Sequence, residues 1–162
     1  MMIDAKNPPI EVAIAILFRG HDFLMQLRDD VPNIVYPGHW GLFGGHLEPG
    51  ETPEIAVVRE VIEEIGYKIS DPVKFGVYAD DYPQGELRSK RVVRHVFAAS
   101  IDVNLSDLTL MEGWDMNFLN QTDIERGRHF SPRSNSFQPL VSMAQRILLD
   151  FIESKQNRNS TE

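Results

Sequence analysis

The stretch from Gly45 to Tyr67, GHLEPGETPEIAVVREVIEEIGY, constrains this chain more than any other, because a Gly/Pro turn there feeds a helical pattern carrying Arg59, Glu60, Glu63 and Glu64. At roughly 100° per residue, Ile55, Val58, Ile62 and Ile65 fall on one stripe and are expected to pack, while Glu60, Glu63 and Glu64 project from the opposite side. Like charges three and four residues apart repel by a few tenths of a kcal/mol per pair, and no lysine follows at the positions that would relieve them. Such a face is either solvated or neutralised by a hard divalent cation. Magnesium is held in this way by one or two carboxylates, water and substrate phosphate.

The helix is bounded at both ends. Pro49 followed by Gly50 suits the central positions of a type II turn. Thr52 is placed to cap the helix, with Pro53 in its first turn, and Gly66 sits where a left-handed terminating residue is wanted. Together these residues resemble the signature of the Nudix hydrolases, G-x5-E-x7-R-E-U-x-E-E-x-G-U with U a bulky apolar residue. Gly45, Glu51, Arg59, Glu60, Val61, Glu63, Glu64 and Gly66 fill every fixed place. Tyr67, at a final position usually aliphatic, is the one departure and bears on local packing.

The resemblance implies an α/β fold, a Nudix-like α/β/α sandwich with a central mixed β-sheet. It implies Mg²⁺ as cofactor, with Mn²⁺ as substitute. The implied reaction is attack of water on a phosphorus of a nucleoside diphosphate joined to a group X, as in a nucleotide sugar, ADP-ribose or a nucleoside triphosphate. Glu60 and Glu64, one helical turn apart, are the best pair of metal ligands, with Glu63 as a further ligand or as the group orienting a water. Similar proteins bring the carbonyl of the residue at Gly44 to a metal, which would account for two adjacent glycines. Glu51 and Arg59 are expected to hold the loop against the helix as a partly buried ion pair. A general base is still needed. Glu112, in LMEGWD, resembles the family's loop base and reads equally as an exposed turn glutamate.

Substrate contacts are read from charge and position. Arg28 closes the strand-like FLMQLR and suits a phosphate, although Asp29 and Asp30 offer it local surface partners. Arg88, Lys90, Arg91 and Arg94 form a basic cluster in an acidic chain, and strand alternation lets only some of them, Arg94 among these, face a pocket. His46 beside the glycines either contacts phosphate or is solvated. Tyr36, Trp40, Tyr82 and Trp114 either stack a base or pack in core and loops. Pro83 resembles the proline that marks ADP-ribose-type members.

A chain of 162 residues that is 42% hydrophobic suffices for one domain. We expect that domain over residues 1–153, with a disordered tail over 154–162. Strands are expected at Ile10–Phe18, Phe23–Leu27, Trp40–Phe43, Val73–Tyr78, Arg91–Ile101 and Trp114–Leu119. A short helix is expected at Gln121–Arg126 and a final one from Phe137 to Glu153. The net charge of −8 argues against a nucleic-acid polymer as partner, so an anionic small molecule would need a cation between itself and the protein.

No cysteine occurs, which removes disulfides, thiol nucleophiles and cysteine zinc sites. Neither a signal peptide nor a membrane span is legible, so a cytoplasmic location is expected. A homodimer is expected only by analogy. Phosphate-loop, H-E-x-x-H and G-x-S-x-G patterns are missing. The other reading to be weighed is a nucleotide-sensing module that keeps the fold without turnover, for which three crowded carboxylates have no evident use.

Overall fold

The computed structural model describes residues 7–82 and 90–160. Strands β1 (Ile10–Arg19) and β2 (Asp22–Leu27) form a hairpin but pair with each other only through Leu17–Arg19 and Asp22–Leu24. Beyond that point they part, and the chain from β3 (Trp40–Gly41) to β4 (Phe43–His46) fills the gap. β3 pairs with Gln26 and Leu27 of β2, and β4 with Val12 to Ala15 of β1. The strand expected at Trp40–Phe43 is thus two short ones.

On its other edge β1 pairs in parallel with β6 (Arg91–Ser100), whose outer neighbour is the antiparallel β5 (Val73–Asp81). β7 (Asp115–Leu119) runs antiparallel along β2. Helix α1 (Pro53–Ile65) covers one face of this mixed sheet. The other face carries α2 (Gln121–Arg126) and α3 (Ser142–Ser160).

β1 is apolar along its length because both of its sides meet a helix layer. Ala13, Ala15 and Leu17 pack with Val57, Val61 and Ile65 of α1. Ile16 packs with Trp40 and with Ile147 and Leu148 of α3. The fold is therefore the α/β/α arrangement with a central mixed sheet. Among the described residues no helix is long and apolar enough to cross a membrane.

Two expectations are corrected. The buried stripe of α1 is Ala56, Val57, Val61 and Ile65, whereas Ile55 and Ile62 are 58% and 43% exposed. The helix is turned so that Glu64, 5% exposed, lies on its sheet-facing side. An apolar count passes over that rotation because Glu64 interrupts the stripe that packs.

The final helix begins at Ser142 rather than Phe137 and runs to Ser160, so residues 154–160 are helical where a disordered tail was expected. Phe137 belongs instead to β9 (Ser136–Pro139), a hairpin partner of β8 (Arg128–Ser131). Pro139 lacks the N–H that a helix through this point would need. The end of α3 is held by its own contacts, with Lys155 over the Phe18 ring and Ser154 Oγ donating to the Phe151 carbonyl at 3.1 Å. Arg88 and Pro83 lie outside the described residues.

Candidate active site

The splayed end of β1 and β2 delivers the glycines of β4 beneath α1. The two glycines serve different needs. Gly44 has φ 146°, and a Cβ there would fall 2.1 Å from the Ala13 carbonyl oxygen across the ladder. A Cβ on Gly45 would fall 2.5 Å from Oε1 of Glu60. The β4 backbone therefore runs directly against a carboxylate of α1, a closeness that only glycine permits.

Thr52 caps α1, its Oγ1 accepting from the Ile55 N–H at 3.3 Å, and Gly66 ends it. The preceding loop is fastened by Arg59. Its Nε and Nη2 donate to the two oxygens of Glu51 at 2.7 and 2.8 Å, and Nη2 also donates to the His46 carbonyl at 3.0 Å. This fork of hydrogen bonds, aided by the Glu48 N–H, holds the Glu51 carboxyl down at about 2, and it raises the Arg59 guanidinium above its ordinary value.

Nη1 of Arg59 reaches Glu60 at 2.9 Å and Glu63 at 3.2 Å. Arg59 thus partly supplies the neutralising charge that no lysine offers at the following positions. Because Glu60 and Glu63 turn to Arg59, no three acidic or imidazole side chains among the described residues converge into a ready cage for an ion.

Glu64 is different. It is buried, accepts from the Gly44 N–H at 3.1 Å and from Gln26 Nε2 at 3.0 Å, and among the described residues is paired with no cation. Burial, reinforced by the negative charges of Glu60 and Glu112 and opposed by the Gly44 N–H and Gln26, pushes its carboxyl up to about 8. A buried carboxylate beside two further carboxylates, with oxygen as the only donor type, fits a hard divalent cation.

Glu112 is exposed, on a loop tied to the neighbouring elements. The Met111 N–H donates to the Glu64 carbonyl at 2.8 Å, and the Trp114 N–H to the Leu27 carbonyl at 2.8 Å. The loop thus carries the Glu112 charge to the end of α1 where Glu64 lies.

Beside this cluster opens a cavity of about 310 Å³ whose lining includes Gly44, Gly45 and His46 together with Arg28 and Arg94. Arg28 donates from Nε to the Val35 carbonyl at 2.6 Å, and among the described residues neither Asp29 nor Asp30 forms an ion pair with it. Arg94 is bound to Asp80 at 2.6 Å, and Arg91 approaches Asp81 at 3.9 Å. Tyr36 and Tyr82 also line the cavity, whereas Trp40 is buried in the core and Trp114 packs against it.

Sequence reasoning missed two contributors. Gln26 is a buried amide that lines the cavity and holds Glu64, and its only signal was a polar residue within the apolar FLMQL. Met143, Ala144 and Ile147 of α3, with Val141 just before it, line the same cavity from far along the chain.

A profile of the NUDIX domain matches residues 8–129. The chain belongs to the NUDIX family. A Bacillus subtilis (strain 168) relative bearing a provisional 8-oxo-dGTP diphosphatase name is 36% identical over 88 residues, 54% of this chain and 50% of its own length. Nucleoside triphosphatase NudI of Escherichia coli O81 (strain ED1a) is 32% identical over 98 residues, 54% of this chain and 67% of that protein. The matched stretch spans about half the length of the first curated relatives. In fold, this NUDIX chain is similar to the Escherichia coli ORF135 protein, with a TM-score of 0.72 at 19% identity over 96% of each chain.

Proposed function

We propose that this NUDIX-family chain hydrolyses a phosphoric anhydride bond in a nucleoside diphosphate joined to a group X, with Mg²⁺, or Mn²⁺ in its place, at Glu60, Glu63, Glu64 and the Gly44 carbonyl. The observation that carries the reading is Glu64, a buried carboxylate without a cationic partner among the described residues, fixed by Gln26 and Gly44, which both line the cavity. The names of the two relatives favour a nucleoside triphosphate as the substrate class.

When bound, the metal would shield phosphate charge, lower the pKa of water and align the displacement. The chain's own residues do the rest. Arg28 faces the cavity with its guanidinium free of a carboxylate partner among the described residues and would bind phosphate oxygens. Arg94 and His46 line the same space, and Tyr36 and Tyr82 offer aromatic surface to a base.

Glu112, exposed and close enough to raise Glu64, would take the proton of the attacking water. A bond forms from that water's oxygen to phosphorus while the bond from the same phosphorus to the bridging oxygen breaks. The products are a nucleoside monophosphate and phosphorylated X, which is pyrophosphate when the substrate is a triphosphate.

The test is a panel of nucleoside triphosphates, nucleotide sugars and ADP-ribose with Mg²⁺ in ¹⁸O-labelled water. We expect label in one product and no turnover with EDTA. Saturable nucleotide binding without product under either Mg²⁺ or Mn²⁺ would overturn the enzymatic reading.

A further inference from the structure

The last turns of α3 form one wall of a second groove, of about 430 Å³, which shares no lining residue with the first cavity. Phe23 and Ile152 make its apolar surface. Among the described residues its polar lining is His21, Gln121, Lys155, Gln156, Arg158 and Asn159, every one able to donate a hydrogen bond from nitrogen and none a carboxylate. In a chain of net charge −8 this is a marked local reversal of sign.

Lys155 is the centre of it. Its Nζ lies 3.7 Å from the Phe18 ring centroid and 4.8 Å from that of Phe151. Among the described residues it has no carboxylate partner. Partial burial, with the Arg158 charge alongside, lowers its pKa. Glu125 accepts from Gln121 Nε2 at 2.8 Å, and His21, Lys155, Gln156 and Asn159 line the groove. Two aromatic faces fix the ammonium without neutralising it.

We infer that this groove is a binding site for a phosphate-type oxyanion, seated on Lys155 and His21 with amide donors from Gln156 and Asn159. A phosphate or diphosphate offers several acceptor oxygens at high charge density, which matches a lining of donors around an unneutralised ammonium. The assignment does not depend on the hydrolase reading, because no residue of the first cavity takes part.

The experiment is a titration of the ¹⁵N-labelled full chain, in EDTA, with inorganic diphosphate, followed by amide shifts. Saturating shifts are expected at His21, Phe23 and residues 152–159. Lys155→Met keeps the stem on Phe18 and should weaken binding at least about tenfold at unchanged Tm. Lys155→Arg should retain it. Gln156→Glu, which leaves Lys155 in place, should weaken it likewise by adding an acid to the wall. Shifts confined to the first cavity, or wild-type affinity kept by Lys155→Met and by Gln156→Glu, would overturn the site.

A nucleoside monophosphate and its parent nucleoside form the remaining arms. Binding of the monophosphate but not the nucleoside supports the phosphate assignment, and its affinity relative to inorganic phosphate tells which source the site prefers. Equal binding of the nucleoside and its monophosphate would refute it.

Discussion

Gly44 and Gly45 are neighbours of identical chemistry, yet replacing each with alanine should fail in a different way. At Gly44 the added methyl meets the Ala13 backbone in a left-handed region of φ, and neither can give way. We expect Gly44→Ala to lower stability by about 2 to 4 kcal/mol, read from urea unfolding. At Gly45 the methyl meets only the end of the Glu60 side chain, which can swing aside. Gly45→Ala should therefore cost under about 1 kcal/mol while weakening Mg²⁺ binding at least about tenfold. Undiminished cation affinity in that variant would remove Glu60 from the ligand set. Glu64→Gln should keep its hydrogen-bonded place, stay folded and lose at least about a hundredfold in turnover. Wild-type rates would take Glu64 out of the chemistry. The contacts that could be read from sequence, those of Thr52, Glu51, Arg59 and Glu60, are the ones whose partners lie within one turn and one helix. Gln26 and the α3 wall could not be read, because they reach the site only through strand pairing and packing across the sheet.

At the scale of elements, strand positions were legible because β1 and β6 are apolar and β-branched beyond what a surface segment would carry, and α2 matched its expected span. The orientation of α1 was not. Its two candidate stripes are similarly apolar, and the one that packs contains an acid whose burial follows from the Gly44 N–H and Gln26 beneath it. Substitution separates them. Val61 is fully buried among Ala13, Phe43 and Phe97, so Val61→Ala removes two methyl groups from the core and should cost about 2 to 3 kcal/mol. Ile62→Ala, on the exposed side, should cost less than about 1 kcal/mol. Equal losses by thermal and urea unfolding would mean that α1 sits differently on the sheet. The β8–β9 hairpin was missed although Pro139 argued against helix there. The apolar spacing that continues into α3 hides the boundary, and in the structure Phe137 pairs with Phe130 at a ring separation of 5.5 Å.

For the whole molecule, the net charge of −8 makes pH and cation binding one linked problem. Glu64 has a folded pKa raised from 4.5 to about 8. The folded chain thus retains a proton that the unfolded chain has released, and stability falls wherever the unfolded state binds fewer protons. The contribution is complete below pH 4.5 and is lost as pH rises toward 8. A divalent cation competes with that proton for the carboxylate. It should therefore stabilise more at pH 8 than at pH 6, and the pH dependence should flatten once the ion is saturating. At about a hundredfold excess over Kd the linkage is worth about 2.7 kcal/mol, or roughly 5 to 10 °C in Tm for a chain of this size. Differential scanning fluorimetry with EDTA or Mg²⁺ from pH 5 to 9 reads both effects. A cation increment that is the same at every pH would separate the ion from Glu64, and a metal-free Tm that climbs between pH 5 and 8 would show that the carboxyl is ionised in the fold.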